Sequence, residues 1–420
     1  MNFEQIINSL DRSWRIFDSN RINLLGEVLN WLENPDSNFK TIHIAGTNGK
    51  GSVGAIISTI LSEQDFKVGH FSSPYVVSDL EQITINQKQI SEEQFVDIYK
   101  KILKTLEKHQ QTSDYLSYFE WMTLIALCFF EESKIDFAVI EVGVGGVDDA
   151  TNILTSSQME VFTKITLDHT DLLGDSIEEI TEKKAQIIKQ GSYVVVDSKM
   201  NETASKIIRE VAIKKQAIIV DTQLPKITLI NSNPTGLDLT IDNLQVHLNL
   251  FGNYQIDNLM TSLITIKQLE KLNDFIVTDE TLVIALNKVK IEKRDYYDQE
   301  DNILYSSSHN FDGINGLVET IQSWNLKVKP NLILGILKDK NYQSMIDKIA
   351  PIVGDIICVT PAYPNQDRVL TANQLAKEIT DKLPDKQVSI ANLESVVTNN
   401  QQFTIATGSI YTLRALQNDK

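Results

Sequence analysis

Hydrophobic positions along the chain follow two different spacings. The runs TIHIA (41–45), FAVIEV (137–142), MEVFTKI (159–165), SYVVVD (192–197) and AIIVD (217–221) are short, apolar and rich in β-branched residues. Buried parallel strands read this way when helices cover both faces of their sheet. After the first run, Val53, Ile56, Ile57, Ile60 and Leu61 mark one apolar stripe on a helix opening near Gly51. Between Lys226 and Phe251 the spacing changes to alternation. Leu237, Leu239 and Ile241, then Val246, Leu248 and Leu250, flank Asp242-Asn243, which predicts an antiparallel hairpin appended to the sheet. A helix-rich stretch runs to about Val289, followed by the polar segment IEKRDYYDQEDN and a fresh series of strand signals at 303, 331, 355, 387 and 403. The boundary therefore falls inside 290–301. The pattern predicts a mostly parallel α/β domain over 1–293 with an antiparallel appendage, then a smaller α/β domain over 294–420.

Length and charge narrow the function. A chain of 420 residues exceeds what one core usually organises, and 42% hydrophobic content is ample for packed interiors. With 39 basic and 56 acidic side chains, the net charge is -17. A field of that sign repels nucleic acid and anionic membranes, so any phosphate ligand must be held locally. Cys128 and Cys358, the two cysteines of the sequence, give no disulfide framework or cysteine metal site, which fits a reducing cytoplasm. The opening MNFEQIINSLDRSW carries no targeting pattern, and the apolar stretch Trp121–Phe130 is too short to cross a bilayer.

The sharpest chemical signal is Gly46-Thr47-Asn48-Gly49-Lys50-Gly51-Ser52, between a predicted strand and a predicted helix. Amides of such a turn, with the positive end of the helix dipole, cradle phosphate oxygens. Lys50 would neutralise the terminal phosphates and Ser52 would offer a hydroxyl to Mg²⁺. The spacing is shorter than the common P-loop form. Residue type alone makes Glu141 a buried or edge acid with a partner, and His169 a hydrogen-bonding or packed surface group.

IHIAGTNGKGS (42–52), SSPYVVSDLEQITIN (72–86), YFEWMT (118–123), EVGVGGVDDATN (141–152), LDHTDLLG (167–174), ITEKKAQIIKQG (180–191), FGNYQIDN (251–258), SSHN (307–310), GILKDK (335–340) and TGSIY (407–411) occur in this order. Their order and spacing resemble the folylpolyglutamate synthase and dihydrofolate synthase family of the Mur-ligase superfamily. The resemblance implies a P-loop-containing central domain of the Mur-ligase type and a Rossmann-like C-terminal glutamate-ligase domain. It implies an ATP-dependent ligase that activates a folate carboxylate as an acyl phosphate and adds L-glutamate to tetrahydrofolate or its polyglutamates, with dihydropteroate as an additional acceptor. The partners implied are small molecules (folate, L-glutamate and ATP), for a cytoplasmic monomer without nucleic acid or membrane.

The same resemblance assigns site residues. Thr47, Asn48, Gly49, Lys50, Gly51 and Ser52 would bind ATP with Asn258 near the base and Arg294 at the phosphates. Ser52, Ser73, Glu141 and His169 would hold Mg²⁺. Lys184 stands where the family carries a lysine carbamylated by CO₂, which would hold a second Mg²⁺. His309 would join Lys50 and Lys184 in catalysis, and Phe119 and Ser409 would contact substrate. Departures fall at the rim: Gln82, Val147 and Lys293 replace arginine, arginine and glycine; Asp148 replaces an apolar residue; Lys183-Lys184-Ala185-Gln186 replaces Glu-Lys-Ala-Gly; Tyr254, Ser306 and Phe311 replace histidine, aspartate and proline. The stretch RIFDSNRINLLG (15–26), where the family binds the pterin end, carries no clear pterin signature. These departures leave two rivals: a Mur-like ligase with another carboxylate acceptor, and a nucleotide- or folate-binding paralogue without ligation.

Overall fold

The computed structural model describes residues 1–10, 20–291, 293–363, 365–393, 396 and 402–417. Arg15–Ser19, within the stretch matched to the pterin end, lie outside them. The described residues form three sheets. The first contains β1 (Lys40–Ala45), β2 (Val68–Phe71), β3 (Ile83–Ile85), β4 (Lys88–Gln89), β5 (Phe137–Glu141), β6 (Met159–Phe162), β7 (Tyr193–Val196) and β8 (Ile218–Ile219). Their order is β4-β3-β2-β5-β1-β6-β7-β8. The pairs from β2 across to β8 are parallel, and β3 and β4 add an antiparallel edge.

β1 and β5 are nearly continuous apolar runs because both lie inside the sheet under helices. By register Phe71, Ile140, Ala45 and Phe162 lie on one face of the sheet, where two cores sit side by side: Ile140 and Phe71 with Trp121, Phe95 and Leu29, and Ala45 and Phe162 with Ile180 and Ile208. The predicted stripe on the helix Lys50–Ser62 is fully buried. The Trp121–Phe130 run lies within the helix Tyr118–Glu132, and no helix among the described residues is long and apolar enough to cross a membrane. Cys128 and Cys358 are buried free thiols.

The hairpin forms across Asp242-Asn243, as β10 (Gly236–Ile241) against β11 (Leu244–Leu248). It gains a third strand, β9 (Ile227–Asn233), and makes a sheet of its own rather than extending the first. The third sheet has β12 (Tyr296–Asp298), β13 (Ile303–Tyr305), β14 (Asn331–Leu334), β15 (Ile356–Cys358), β16 (Val388–Ile390) and β17 (Thr404–Thr407). Its order is β12-β13-β17-β14-β15-β16, parallel except for β12.

Two compact units account for the chain. One comprises Met1–Tyr75, Asp79–Leu224 and Asp257–Ala285; the other comprises Val76–Ser78, Pro225–Ile256 and Leu286–Lys420. The three-stranded sheet thus goes with the second unit. There the Trp324 indole N–H donates to Ser232 Oγ at 2.9 Å, and Phe251 shares a core with Leu304, Leu317 and Leu334. Alternation marks a half-buried hairpin, but it does not say which surface supplies the cover.

Candidate active site

The chain leaves β1 at Ala45 and enters the helix Lys50–Ser62 through Gly46–Gly49. Gly46 is required by contact: a Cβ there would meet Thr163 Oγ1 at 1.9 Å. Gly49 is required twice, since its φ of +91° is in the left-handed region and a Cβ would stand 2.3 Å from Asn258 Oδ1. Thr47 and Asn48 donate their backbone N–H groups to Lys164 O at 2.8 and 3.3 Å, and Thr47 Oγ1 donates to Thr166 O at 3.0 Å. These bonds tie the loop to the segment after β6. No side chain caps the helix that follows, so its first-turn amides and dipole suit an anion.

Two lysines converge on one oxygen of this loop. Lys50 Nζ donates to Gly46 O at 3.1 Å and to Thr47 O at 3.4 Å; Lys184 Nζ donates to the same Gly46 O at 2.9 Å. Lys184 is buried, on the helix Ile177–Ala185. Burial first, and the Lys50 charge second, bring its pKa down to about 7, against the pull of Asp168 and Asp149.

Glu141 ends β5 and is buried. Its Oε1 lies 3.0 Å from His70 Nε2 on β2, the partner expected for a buried acid. A Cβ on Gly54 would come within 3.2 Å of that same Glu141 oxygen, so the carboxylate sits against the helix that carries Ser52. His169 precedes the helix Thr170–Leu173 with φ +50°, and its N–H donates to Asp168 Oδ1 at 2.8 Å. Ser73 follows β2, where Ser72 N–H donates to Gln82 O at 3.0 Å. Among the described residues, no three acidic, histidine or cysteine side chains gather as a metal cluster. Ser52, Ser73 and Glu141 carry oxygen donors, the type Mg²⁺ takes a few at a time while water and substrate oxygens complete its shell.

Beside β2 the Phe119 ring stacks on Phe71 at 5.7 Å and closes the space over Gly143, where a Cβ would meet Phe119 Cζ at 2.6 Å. Its neighbours fix that turn. Arg21 Nη2 donates to Glu120 Oε2 at 2.6 Å, and the Tyr118 hydroxyl donates to Asp79 Oδ1 at 2.6 Å while accepting from Gln82 Nε2 at 2.6 Å.

Arg294, His309 and Ser409 belong to the second unit. His309 Nδ1 lies 2.8 Å from Ser307 O; a carbonyl only accepts, so Nδ1 carries a proton. Ser307 donates its N–H to Asp295 Oδ1 at 2.9 Å and its hydroxyl to Asp295 Oδ2 at 2.5 Å. Ser409 is buried after β17, and its Oγ accepts from Tyr411 N–H at 3.3 Å.

The Mur ligase middle domain model matches residues 44–266. The chain is 32% identical over 398 residues to the dihydrofolate synthase/folylpolyglutamate synthase of Bacillus subtilis, covering 90% of each protein. It is 30% identical over 427 residues to the folylpolyglutamate synthase of Lacticaseibacillus casei, covering 98% of this chain and 96% of that protein. The chain belongs to the folylpolyglutamate and dihydrofolate synthase family. The Mycobacterium tuberculosis folylpolyglutamate synthase, solved with ADP and AMPPCP, superposes with a TM-score of 0.81 at 23% identity, covering 98% of this chain and 96% of that one. The two-part α/β fold is therefore that of the family.

Within the family, the departures acquire physical meaning. Lys293 replaces a glycine yet keeps φ +65°, a conformation in which a lysine is strained. Ser306, where the family has aspartate, is buried with its Oγ 3.0 Å from Ser308 Oγ, and the carboxylate beside the motif is Asp295 instead. Gln82 is buried against Tyr118. His70 and Thr163 escaped sequence reasoning, because each acts across a long chain separation with no local motif to mark it; Asp168 stands inside LDHTDLLG but was passed over for His169, and Asp295 lay in the polar stretch read as a boundary.

Proposed function

We propose that this chain is a ligase that uses ATP to join L-glutamate to a folate carboxylate, with tetrahydrofolate or its polyglutamates as acceptor and dihydropteroate as an additional one. The carrying observation is the loop 46–52, with Lys50 and Lys184 on one carbonyl and Asn258 against Gly49. Phosphoryl transfer depends mainly on positioning and charge neutralisation. The γ-phosphate would lie against the first turn of the helix Lys50–Ser62, and Lys50 would swing from Gly46 O to its oxygens. An acceptor carboxylate oxygen attacks the γ-phosphorus and ADP leaves. The neutral amine of glutamate then attacks the acyl carbon and phosphate leaves, forming the amide.

Thr47, Asn48, Gly51 and Ser52 shape the nucleotide side, and Asn258 flanks the base. Mg²⁺, when bound, neutralises phosphate charge, and Ser52, Ser73, Glu141 and His169 are the residues that would hold it. A lysine brought to about pKa 7 by burial is partly neutral at physiological pH, as its reaction with CO₂ to a carbamate and a proton requires. Carbamylated Lys184 would supply oxygen ligands for a second ion. Phe119 would face the acceptor, and Arg294, His309 and Ser409 would serve from the domain assigned to 294–420. We assign the protein to the cytoplasm, as a monomer.

The test incubates pure protein with ATP, Mg²⁺, labelled glutamate and a panel of pteroate and folate acceptors, and weighs the products. Folate-dependent mass increments of one glutamate with matching ADP release are expected. ATP bound but not turned over with any acceptor would overturn the reading.

A further inference from the structure

A buried polar chain runs from the middle of β1 to the glycine-rich loop after β5, and neither His43 nor Thr151 in it has been given a role above. His43 is fully buried, on the strand whose end carries the phosphate loop. Its Nε2 lies 2.8 Å from Thr151 Oγ1, and Thr151 Oγ1 lies 2.6 Å from Asp149 Oδ1. Thr151 and Asp149 are buried as well. Asp149 also accepts from Val144 N–H at 2.7 Å, from Thr151 N–H at 3.0 Å and from the backbone of Gly143.

The direction of the chain follows from proton counting. A carboxylate surrounded by donors is an acceptor, so the hydroxyl proton of Thr151 points at Asp149. The Thr151 oxygen must then accept from His43, which puts the imidazole proton on Nε2. Burial, and to a lesser degree the Lys189 charge, hold this ring neutral, with its pKa down to about 3. Its Nδ1 is buried without a hydrogen-bond partner in the protein. A bare buried acceptor costs stability that an aliphatic side chain would not. Retaining histidine here therefore calls for a return elsewhere.

That return lies at the other end of the chain. Asp149 grips Val144, and the loop continues onto the lysine helix. Val147 N–H donates to Lys183 O at 2.9 Å, and a Cβ on Gly146 would come within 2.8 Å of Lys184 Cα. Asp149 on one side and Lys183–Lys184 on the other clamp residues 143–147. We propose that His43 is a positioning residue of the ligase: through Thr151 and Asp149 it fixes the loop 143–147, and so sets where Lys184 meets the phosphate loop.

For its kinetic arm the proposal rests on the ligase reading; a second arm does not. His43→Leu removes the donor at little change in volume, whereas His43→Gln keeps an N–H at a similar reach. The leucine variant should lose about 10–100-fold in kcat, with the KM for ATP within about twofold of wild type, and glutamine should restore most of the loss. Backbone amide exchange should quicken over 143–151 in the leucine variant and be slowed again in the glutamine one. If His43→Leu fails to fold, Thr151→Val breaks the same chain and must reproduce the kcat loss. Wild-type kcat in the leucine variant, or equal losses with leucine and glutamine, overturns the proposal. Should the wild-type protein ligate nothing, the ligase reading falls by itself, and exchange alone decides: faster exchange rescued by glutamine upholds the role of His43, and unchanged exchange ends it.

Discussion

Two strand–turn–helix connections, one in each unit, finish their helices in opposite ways. After β1, the helix Lys50–Ser62 starts from Gly49 in the left-handed region with no side-chain cap. After β13, the helix Phe311–Ser323 starts from Asn310, whose side chain accepts from Gly313 N–H at 2.8 Å. The second arrangement satisfies a first-turn donor with the chain's own oxygen. In the first, no side chain of the protein does so, and two lysines stand next to the turn. Under the proposed function, the uncapped helix start beside cations is the site and the capped one is a structural joint. Capping boxes at Ser91, Ser117, Ser176 and Thr371 show that this chain caps helices readily. The helices Arg21–Trp31 and Tyr342–Ile349 also begin without a side-chain cap, so the two lysines, and not the missing cap alone, set the start at Lys50 apart.

The hardest way to break this contrast is Lys50→Ala. Product formation should fall by about 10²–10³-fold with the far-ultraviolet circular dichroism unchanged. Ligation at the wild-type rate would remove the loop from the chemistry. Next in size is Gly49→Ala. It sets a Cβ against Asn258 and holds alanine at positive φ, a strain of about 1–2 kcal/mol. A lower melting temperature and weaker ADP binding by calorimetry should appear together, and a loss of stability alone would sever the loop from nucleotide binding.

A subtler effect comes from Lys184, whose pKa is about 7 in the folded chain against 10.5 ordinarily. Between those values the unfolded chain holds a proton that the folded chain lacks. Stability relative to Lys184→Met should therefore climb as pH rises from about 7 towards 10.5 and be flat below. Melts across that range check it, and a pH-independent difference would contradict the buried, depressed lysine. The smallest change is expected from Asn310→Ala, which should cost about 1 kcal/mol in urea unfolding while leaving ADP affinity within about twofold of wild type. Weakened ADP binding there would blur the line between site and joint.

Much of the scaffold was legible because burial on both faces leaves an unbroken apolar run. TIHIA, FAVIEV and SYVVVD mark β1, β5 and β7 within a residue or two. β2, written VGHF, escaped because a glycine and a histidine interrupt its apolar character, and β9 because its residues are mostly exposed. The glycine loop was legible from its spacing between strand and helix. Its closure by Asn258 and Thr163 was not, since those contacts join residues far apart in sequence. The resemblance supplied names for positions; only coordinates show that Lys50 and Lys184 share an oxygen, or that Lys293 keeps the backbone of the glycine it replaces.

The second unit is assembled from three separate stretches of chain, and this governs how the protein can be dissected. A fragment beginning at residue 294 would lack Phe251, which fills its core, and Ser232, to which Trp324 bonds. Emptying a phenylalanine-sized volume costs about 3–5 kcal/mol, a large share of a small fold's margin. During synthesis, β9–β11 leave the ribosome well before the strands with which they share a unit. They must wait as an unfinished surface until the last third of the chain arrives. Grafting this half onto another enzyme would accordingly require carrying 225–256 along with the tail.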